Sequence, residues 1–222
     1  MAEPGTTMAT PAFSLRDDDL VTLLVGSDEQ KFVVHESCII RNSDFFKAAL
    51  KKEWAEGQTR TIKLPEENCV ETLVNYLNFA YREKLPTEDI KAKADGGFTG
   101  DPFTALAKLY VIGERILDRS VQSAVIREIL RLVTIKSKGK GARSYPETTS
   151  VTVTYSGTSA GSPLRRLMVD LYVKAGTGSW NYSKHPEFLM DLWKALLEEK
   201  TLAQKTIPDF RGQVLVAEDY VN

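Results

Sequence analysis

The sequence predicts an α+β fold, a small sheet with helices packed on it, followed by a mostly helical stretch. Three observations predict it. Short β-rich runs fall in the first third of the chain, at 20–25, 31–35 and 59–65. Helical periodicity fills the ground between and after them. The composition, 42% hydrophobic and 27% charged over 222 residues, suits a chain that buries a core without disulfide staples.

The elements follow in order. LVTLLV at 20–25 and KFVVH at 31–35 flank the polar, Gly-containing turn GSDEQ, which reads as a β-hairpin. Phe32 and Val34 alternate with Lys31 and Val33, so the second strand is expected to be covered on one face. His35, Ile39 and Ile40 fit one helical stripe. Ser43 is a candidate N-cap for DFFKAALKKEW, with Asp44 favourable in the first turn and Phe46, Ala49 and Leu50 on the i, i+3, i+4 face. TRTIKLP at 59–65 reads as a short strand ended by Pro65. Pro65 then opens a helix carrying Val70, Leu73, Val74, Leu77 and Tyr81 at helical spacing. The expected order is β-β-α-α-β-α.

KAKADGGFTGDP at 91–102 offers little to bury and reads as a loop, so composition divides the chain near 90–100. Helical patterns follow at 103–117 (Leu106, Leu109, Tyr110, Gly113, Leu117) and 119–134 (Val121, Val125, Ile129, Leu132). KSKGKGARSYPETTS at 136–150 is a second break. VTVTY at 151–155 is open: its β-branched alternation favours a strand, whereas Pro146 and the Val151–Tyr155 spacing permit a helix. SPLRRLMVDLYV at 162–173 is a helix with Ser162 as cap and Pro163 in the first position. HPEFLMDLWKALLEEK at 185–200 is another.

Composition excludes several function classes. Lys and Arg number 29 against 30 Asp and Glu, a net charge of −1, which argues against wholesale polyanion binding. No apolar stretch is long enough to span a membrane. MAEPGTTMATPAF lacks a basic start and an apolar core, so no secretory signal is expected there. Two cysteines, Cys38 and Cys69, make no disulfide framework and suit a reducing compartment, so the expected location is cytoplasmic or nuclear.

Candidate chemical sites are sparse. His35 and Cys38 stand at i, i+3, but zinc needs more ligands and a Cys–His nucleophile needs an orienting third group. A local hydrogen bond for His35 and burial for Cys38 are the better reading. Asp17-Asp18-Asp19 lacks the Gly and the terminal Glu of a calcium loop. Arg127, Arg131, Lys136, Lys138, Lys140 and Arg143 stand against Glu128 and could touch nucleic acid or acidic partners. Without interleaved aromatics, a solvated loop is preferred. SGTSAGSP at 156–163 lacks the Gly-Lys-Ser/Thr ending of a phosphate loop. No catalytic residue, metal, cofactor or small-molecule substrate is expected.

A family resemblance rests on Asp19-Leu20-Val21-Thr22-Leu23, Val25-Gly26, Phe32-Val33-Val34-His35, Asn42-Ser43-Asp44-Phe45-Phe46, Ile62-Lys63-Leu64-Pro65 and Tyr76-Leu77-Asn78-Phe79-Ala80-Tyr81. In this order and spacing, over about 17–117, the chain resembles the BTB/POZ domain, and LYVIGERILD at 109–118 looks like that family's closing helices. SPLRRLMVDLYV, followed by a Trp and an apolar helix, resembles the extension of many fungal BTB-domain proteins, which moves 146–155 towards helix. Composition suggests a disordered 1–16, a flexible loop near 136–150 and a weakly ordered tail over 201–222 with Pro208 and Gly212, and the resemblance implies a BTB/POZ domain over 17–118 and a helical extension over 119–200.

It also implies a non-enzymatic protein–protein interaction module. BTB domains self-associate, act as substrate adaptors that recruit a cullin scaffold of ubiquitin ligases, or recruit corepressors. In the family, the residue matching His35 is structural, with the one matching Asp19 nearby. Trp54-Ala55-Glu56 resembles the hydrophobic–x–Glu motif of the cullin-recruiting members. Phe46, Trp54, Glu56 and Tyr81 are the expected partner-facing rim. A strand-exchanged homodimer is not expected, because the residues before the first strand are polar or small and show no amphipathic helix.

Overall fold

The computed structural model describes residues 20–64, 70–87, 101–134, 145–175 and 185–204. They fall into two compact units, one up to Val70 and one from Glu71 onward. The contact break therefore comes earlier in the chain than the composition break near 90–100.

In the first unit, LVTLLV alternates buried and half-buried residues, with Val21, Leu23 and Val25 turned inward. This is strand β1 (Leu20–Val25). The turn after it needs positive φ at Gly26 and Glu29, and the Glu29 amide closes it by donating to the Gly26 carbonyl at 3.2 Å. Strand β2 (Gln30–His35) returns antiparallel, with Leu20 opposite His35 and Val25 opposite Gln30. Val34 is 3% exposed and Val33 55%, so β2 is covered on one face as its alternation predicts. Strand β3 (Thr61–Leu64) lies on the other side of β1 and runs parallel to it, pairing Thr22 with Thr61 and Val25 with Leu64. The order β2-β1-β3 leaves β3 at an edge.

A parallel neighbour requires a crossover, and three short helices supply it. These are α1 (Glu36–Ile40), α2 (Asp44–Ala49) and α3 (Ala55–Thr59). The Ser43 hydroxyl oxygen accepts the Phe46 amide at 3.1 Å, so the predicted cap is the observed one. Two expectations need correction. The helix over 44–54 stops at Ala49, and α3 is an added turn, so the order is β-β-α-α-α-β-α. The stretch after Leu50 carries Lys51, Lys52 and Glu53 in succession, all exposed, and offers no apolar face for the helix to bury.

The second unit is helical. It contains α4 (Val70–Arg82), α5 (Pro102–Arg115), α6 (Arg119–Thr134), α7 (Thr148–Gly157), α8 (Pro163–Ala175) and α9 (Pro186–Gln204). Helix α5 is central, packing on α6 and α7, while α8 and α9 pack on each other. Its start is fixed by Asp101, whose carboxylate accepts the Phe103 and Thr104 amides at 3.1 Å each. A side chain at Gly113 would stand 2.4 Å from Val121, so glycine there lets α6 approach α5. The ambiguous VTVTY lies within α7. Its hydroxyls bond one turn back: Ser150 donates to the Glu147 carbonyl at 2.7 Å, Thr152 to Thr148 at 2.8 Å and Thr154 to Ser150 at 2.8 Å. Burial of Val151 and Tyr155 outweighs β-propensity, and the hydroxyls find partners within the helix.

Helix α9 continues to Gln204, four residues past the point where a weakly ordered tail was expected. Pro65, Cys69, Asp17–Asp19 and the basic residues of 135–144 lie outside the described residues, as do Trp180 and the expected disordered N-terminus.

Candidate functional site

The surface that stands out is built in the turn between α2 and β3. The Phe45 and Phe46 rings meet edge to face, with centroids 5.3 Å apart, and their fates differ. Phe46 is 0% exposed, whereas Phe45 is half-buried. The expectation that Phe46 faces a partner is therefore corrected: the i, i+3, i+4 stripe that places it beside Ala49 and Leu50 puts it in the core, and Phe45 is the aromatic that reaches the surface.

After α2 the chain turns sharply. The Trp54 amide donates to the Lys51 carbonyl at 3.0 Å, and the Gln58 amide donates to the Trp54 carbonyl at 3.1 Å. Trp54 thus stands in extended backbone just ahead of α3, and its side chain is 59% exposed. Gly57 is buried; a Cβ there would stand 2.1 Å from the Lys51 carbonyl oxygen. The Gln58 amide side chain ties back to the Lys52 carbonyl at 3.1 Å. Arg60 ends α3 in the left-handed region, with φ of 53°, and clamps the sheet: its Nε donates to the Leu20 carbonyl at 3.3 Å and its Nη1 pairs with Glu36 at 2.6 Å.

Together α2, α3 and β3 frame an open groove of about 540 Å³. Phe45, Ala48 and Ala49 form one wall, Trp54, Ala55, Glu56 and Thr59 the other, and Thr61, Ile62 and Lys63 the strand side. Trp54 and Glu56 are brought together here. Tyr81, half-buried on α4, lies in the second unit and is no part of this groove. Lys63 is engaged by Glu29 at 2.6 Å, so Glu56 supplies the unbalanced charge of the lining. Phe45, the two alanines and β3 were missed by sequence reasoning, although the adjacent aromatics at 45 and 46 signalled that one must point away from the core.

Other candidates resolve into structural roles. His35 ends β2 and precedes α1, and Cys38 is buried and 3% exposed. No cluster of metal-ligating side chains occurs among the described residues. Arg131 makes a two-pronged pair with Glu128, at 2.6 Å on both prongs, and Thr87 donates to the same carboxylate at 2.6 Å. Partial burial raises the Glu128 pKa, but these bonds and the Arg131 charge outweigh it and hold it below the ordinary carboxylate value.

The comparisons with known proteins bear on the stretch that contains this groove. Residues 15–95 match the family model of the BTB/POZ domain. No curated protein matches the chain. The BTB/POZ match indicates a protein–protein interaction module, and the three-stranded sheet with its packed helices agrees with it. No helix among the described residues is long and apolar enough to cross a membrane.

Proposed function

We propose that this chain is a non-enzymatic adaptor whose BTB/POZ segment recruits a cullin-type scaffold of a ubiquitin ligase through the groove bordered by Trp54 and Glu56. The observation that carries the reading is the exposure of Trp54 on a braced turn. Backbone hydrogen bonds fix the main chain at Trp54, and its exposed indole keeps its apolar area available to a partner, as interface anchors do. Glu56 stands two residues on, as in the hydrophobic–x–Glu pattern of cullin-recruiting BTB domains.

In this reading 17–118 is the interaction domain, 119–200 a helical extension resembling that of many fungal BTB-domain proteins, and the setting cytoplasmic or nuclear. Exchange of an N-terminal strand plays no part, so deleting residues 1–16 leaves the oligomeric state by light scattering unchanged. Size-exclusion chromatography of the chain with a purified cullin N-terminal region tests the adaptor role. Co-elution as one complex supports it, and separate elution at micromolar concentrations contradicts it.

A further inference from the structure

We propose that the outer edge of β3 binds an extended, basic peptide segment of a partner protein as an added strand lying in the groove. The inference rests on the reading of this segment as an interaction module, and it is independent of the cullin.

Among the described residues, strand β3 is bonded on one side, to β1, and carries no strand on the other. The Arg60 carbonyl accepts the Thr22 amide at 2.9 Å, and the Leu64 carbonyl accepts the Gly26 amide at 3.2 Å. In a parallel ladder the N–H and C=O of one residue point to the same side, and successive residues alternate. Residues 60, 62 and 64 therefore address β1, and the main-chain groups of Thr61 and Lys63 point away from it. Among the described residues those groups have no hydrogen-bond partner. Thr61, Ile62 and Lys63 also line the groove.

An edge with unmet donors and acceptors templates another strand, and proteins commonly guard it with a charged lysine. Here that lysine, Lys63, is paired with Glu29 at 2.6 Å, both side chains largely exposed. The groove supplies what strand addition uses for specificity: apolar ground at Ala48, Ala49 and Trp54 for alternate side chains, and the Glu56 carboxylate for a cation. An extended segment alternating apolar residues with Arg or Lys satisfies all three features. A docking helix satisfies its own main chain and leaves Thr61 and Lys63 unmet.

The test is amide hydrogen exchange by NMR on the full chain, with an acetylated, amidated peptide alternating Val and Arg as the probe. In the free chain Thr61 and Lys63 should exchange faster than Ile62 and Leu64, which bond to β1. Saturating peptide should slow Thr61 and Lys63 by about tenfold or more. The same peptide N-methylated at the residues whose N–H would face β3 should not, because the methyl groups keep its main chain from approaching and pairing with the edge. E56K should weaken the unmodified peptide. Equal protection of all four amides in the free chain overturns the proposal, as does peptide binding that leaves Thr61 and Lys63 unprotected, absence of binding, or equal effect of the N-methylated peptide. Cullin binding can succeed or fail without changing these readouts, so the two ideas are separable.

Discussion

Gly57 and Lys51 are in backbone contact: a Cβ on the glycine would stand 2.1 Å from the lysine carbonyl oxygen, 2.6 Å from its carbonyl carbon. That same oxygen accepts the Trp54 amide at 3.0 Å. The atom that positions Trp54 is therefore the atom a side chain at 57 would displace. Gly57→Ala cannot be relieved by a rotamer change, since the obstruction is main chain. It should cost about 2 kcal/mol or more in urea unfolding, at the level of other forced overpacking. It should also shift the Trp54 indole resonance, whereas Gln58→Ala, which removes one tie to Lys52, should cost about 1 kcal/mol or less.

Tyr76 donates its hydroxyl to Asp118 at 3.2 Å, and the other carboxylate oxygen of Asp118 accepts the Ser120 and Val121 amides at 2.9 and 3.1 Å. The buried aspartate thereby caps α6 and ties it to α4. Burial first, then the charge and hydrogen bond of Asp118, raise the Tyr76 pKa above its ordinary 10.0. Tyr155, buried and donating to Asp191 at 3.1 Å, is raised in the same direction. The folded pKa values exceed the unfolded ones, so the stability they contribute is complete below pH 10 and is lost as pH rises through the folded values. The urea midpoint should begin to fall as pH rises past about 10 and keep falling above it, and Tyr76→Phe should lessen that fall. The same variant should cost about 1–2 kcal/mol at neutral pH, because it leaves Asp118 one partner short.

Arg165 is 6% exposed and joins three helices. Its Nε donates to the Thr158 hydroxyl at 3.0 Å, its Nη2 to the Tyr155 carbonyl at 2.7 Å and also to the Thr158 carbonyl, while its Nη1 pairs with Glu187. The guanidinium also lies 4.6 Å from the Tyr155 ring centroid. Arg165→Met should cost about 3 kcal/mol, mostly from the carbonyls left unmet, since Glu187 remains in solvent. Arg165→Lys should recover less than half of that, because an ammonium lacks the planar fork. Chemical denaturation followed by circular dichroism reads both.

Helix α5 lies inside the expected 17–118 domain, but its partners α6 and α7 lie beyond it. Gly157 shows how tight the contact is, with Val111 methyls 2.6 Å from where its Cβ would be. Ser162 donates to Glu114 at 2.8 Å across the same junction. A chain ended at residue 118 would expose Leu106, Leu109, Tyr110 and Ile112, all fully buried. It should aggregate or bind a hydrophobic dye, whereas the full chain should not.

Much of this architecture was written locally. Ser43 as a cap, Pro163 at a helix start, the Gly26 turn and the alternation in β2 each depend on neighbouring residues, and each is observed. Helix α3 was not legible, because AEGQT has no apolar period and is held by the contact of Gly57 with a carbonyl six residues back. Helix α7 was ambiguous for a related reason: its β-branched residues are helical because Val151 and Tyr155 are buried in the packing, which local propensity does not report. The site was half legible. Trp54 and Glu56 formed a motif in one stretch of sequence, whereas the groove beside them joins α2 to β3, and sequence spacing does not report that.

Calorimetric titration of the full chain with a purified cullin N-terminal region, comparing the natural sequence with Trp54→Ala and Glu56→Lys, tests the central claim most directly. Both positions are exposed, so neither variant should disturb folding. The account predicts saturable binding that Trp54→Ala weakens by roughly tenfold or more, with a smaller loss for Glu56→Lys. Binding of equal strength by all three chains, or no heat from the natural one, would contradict it.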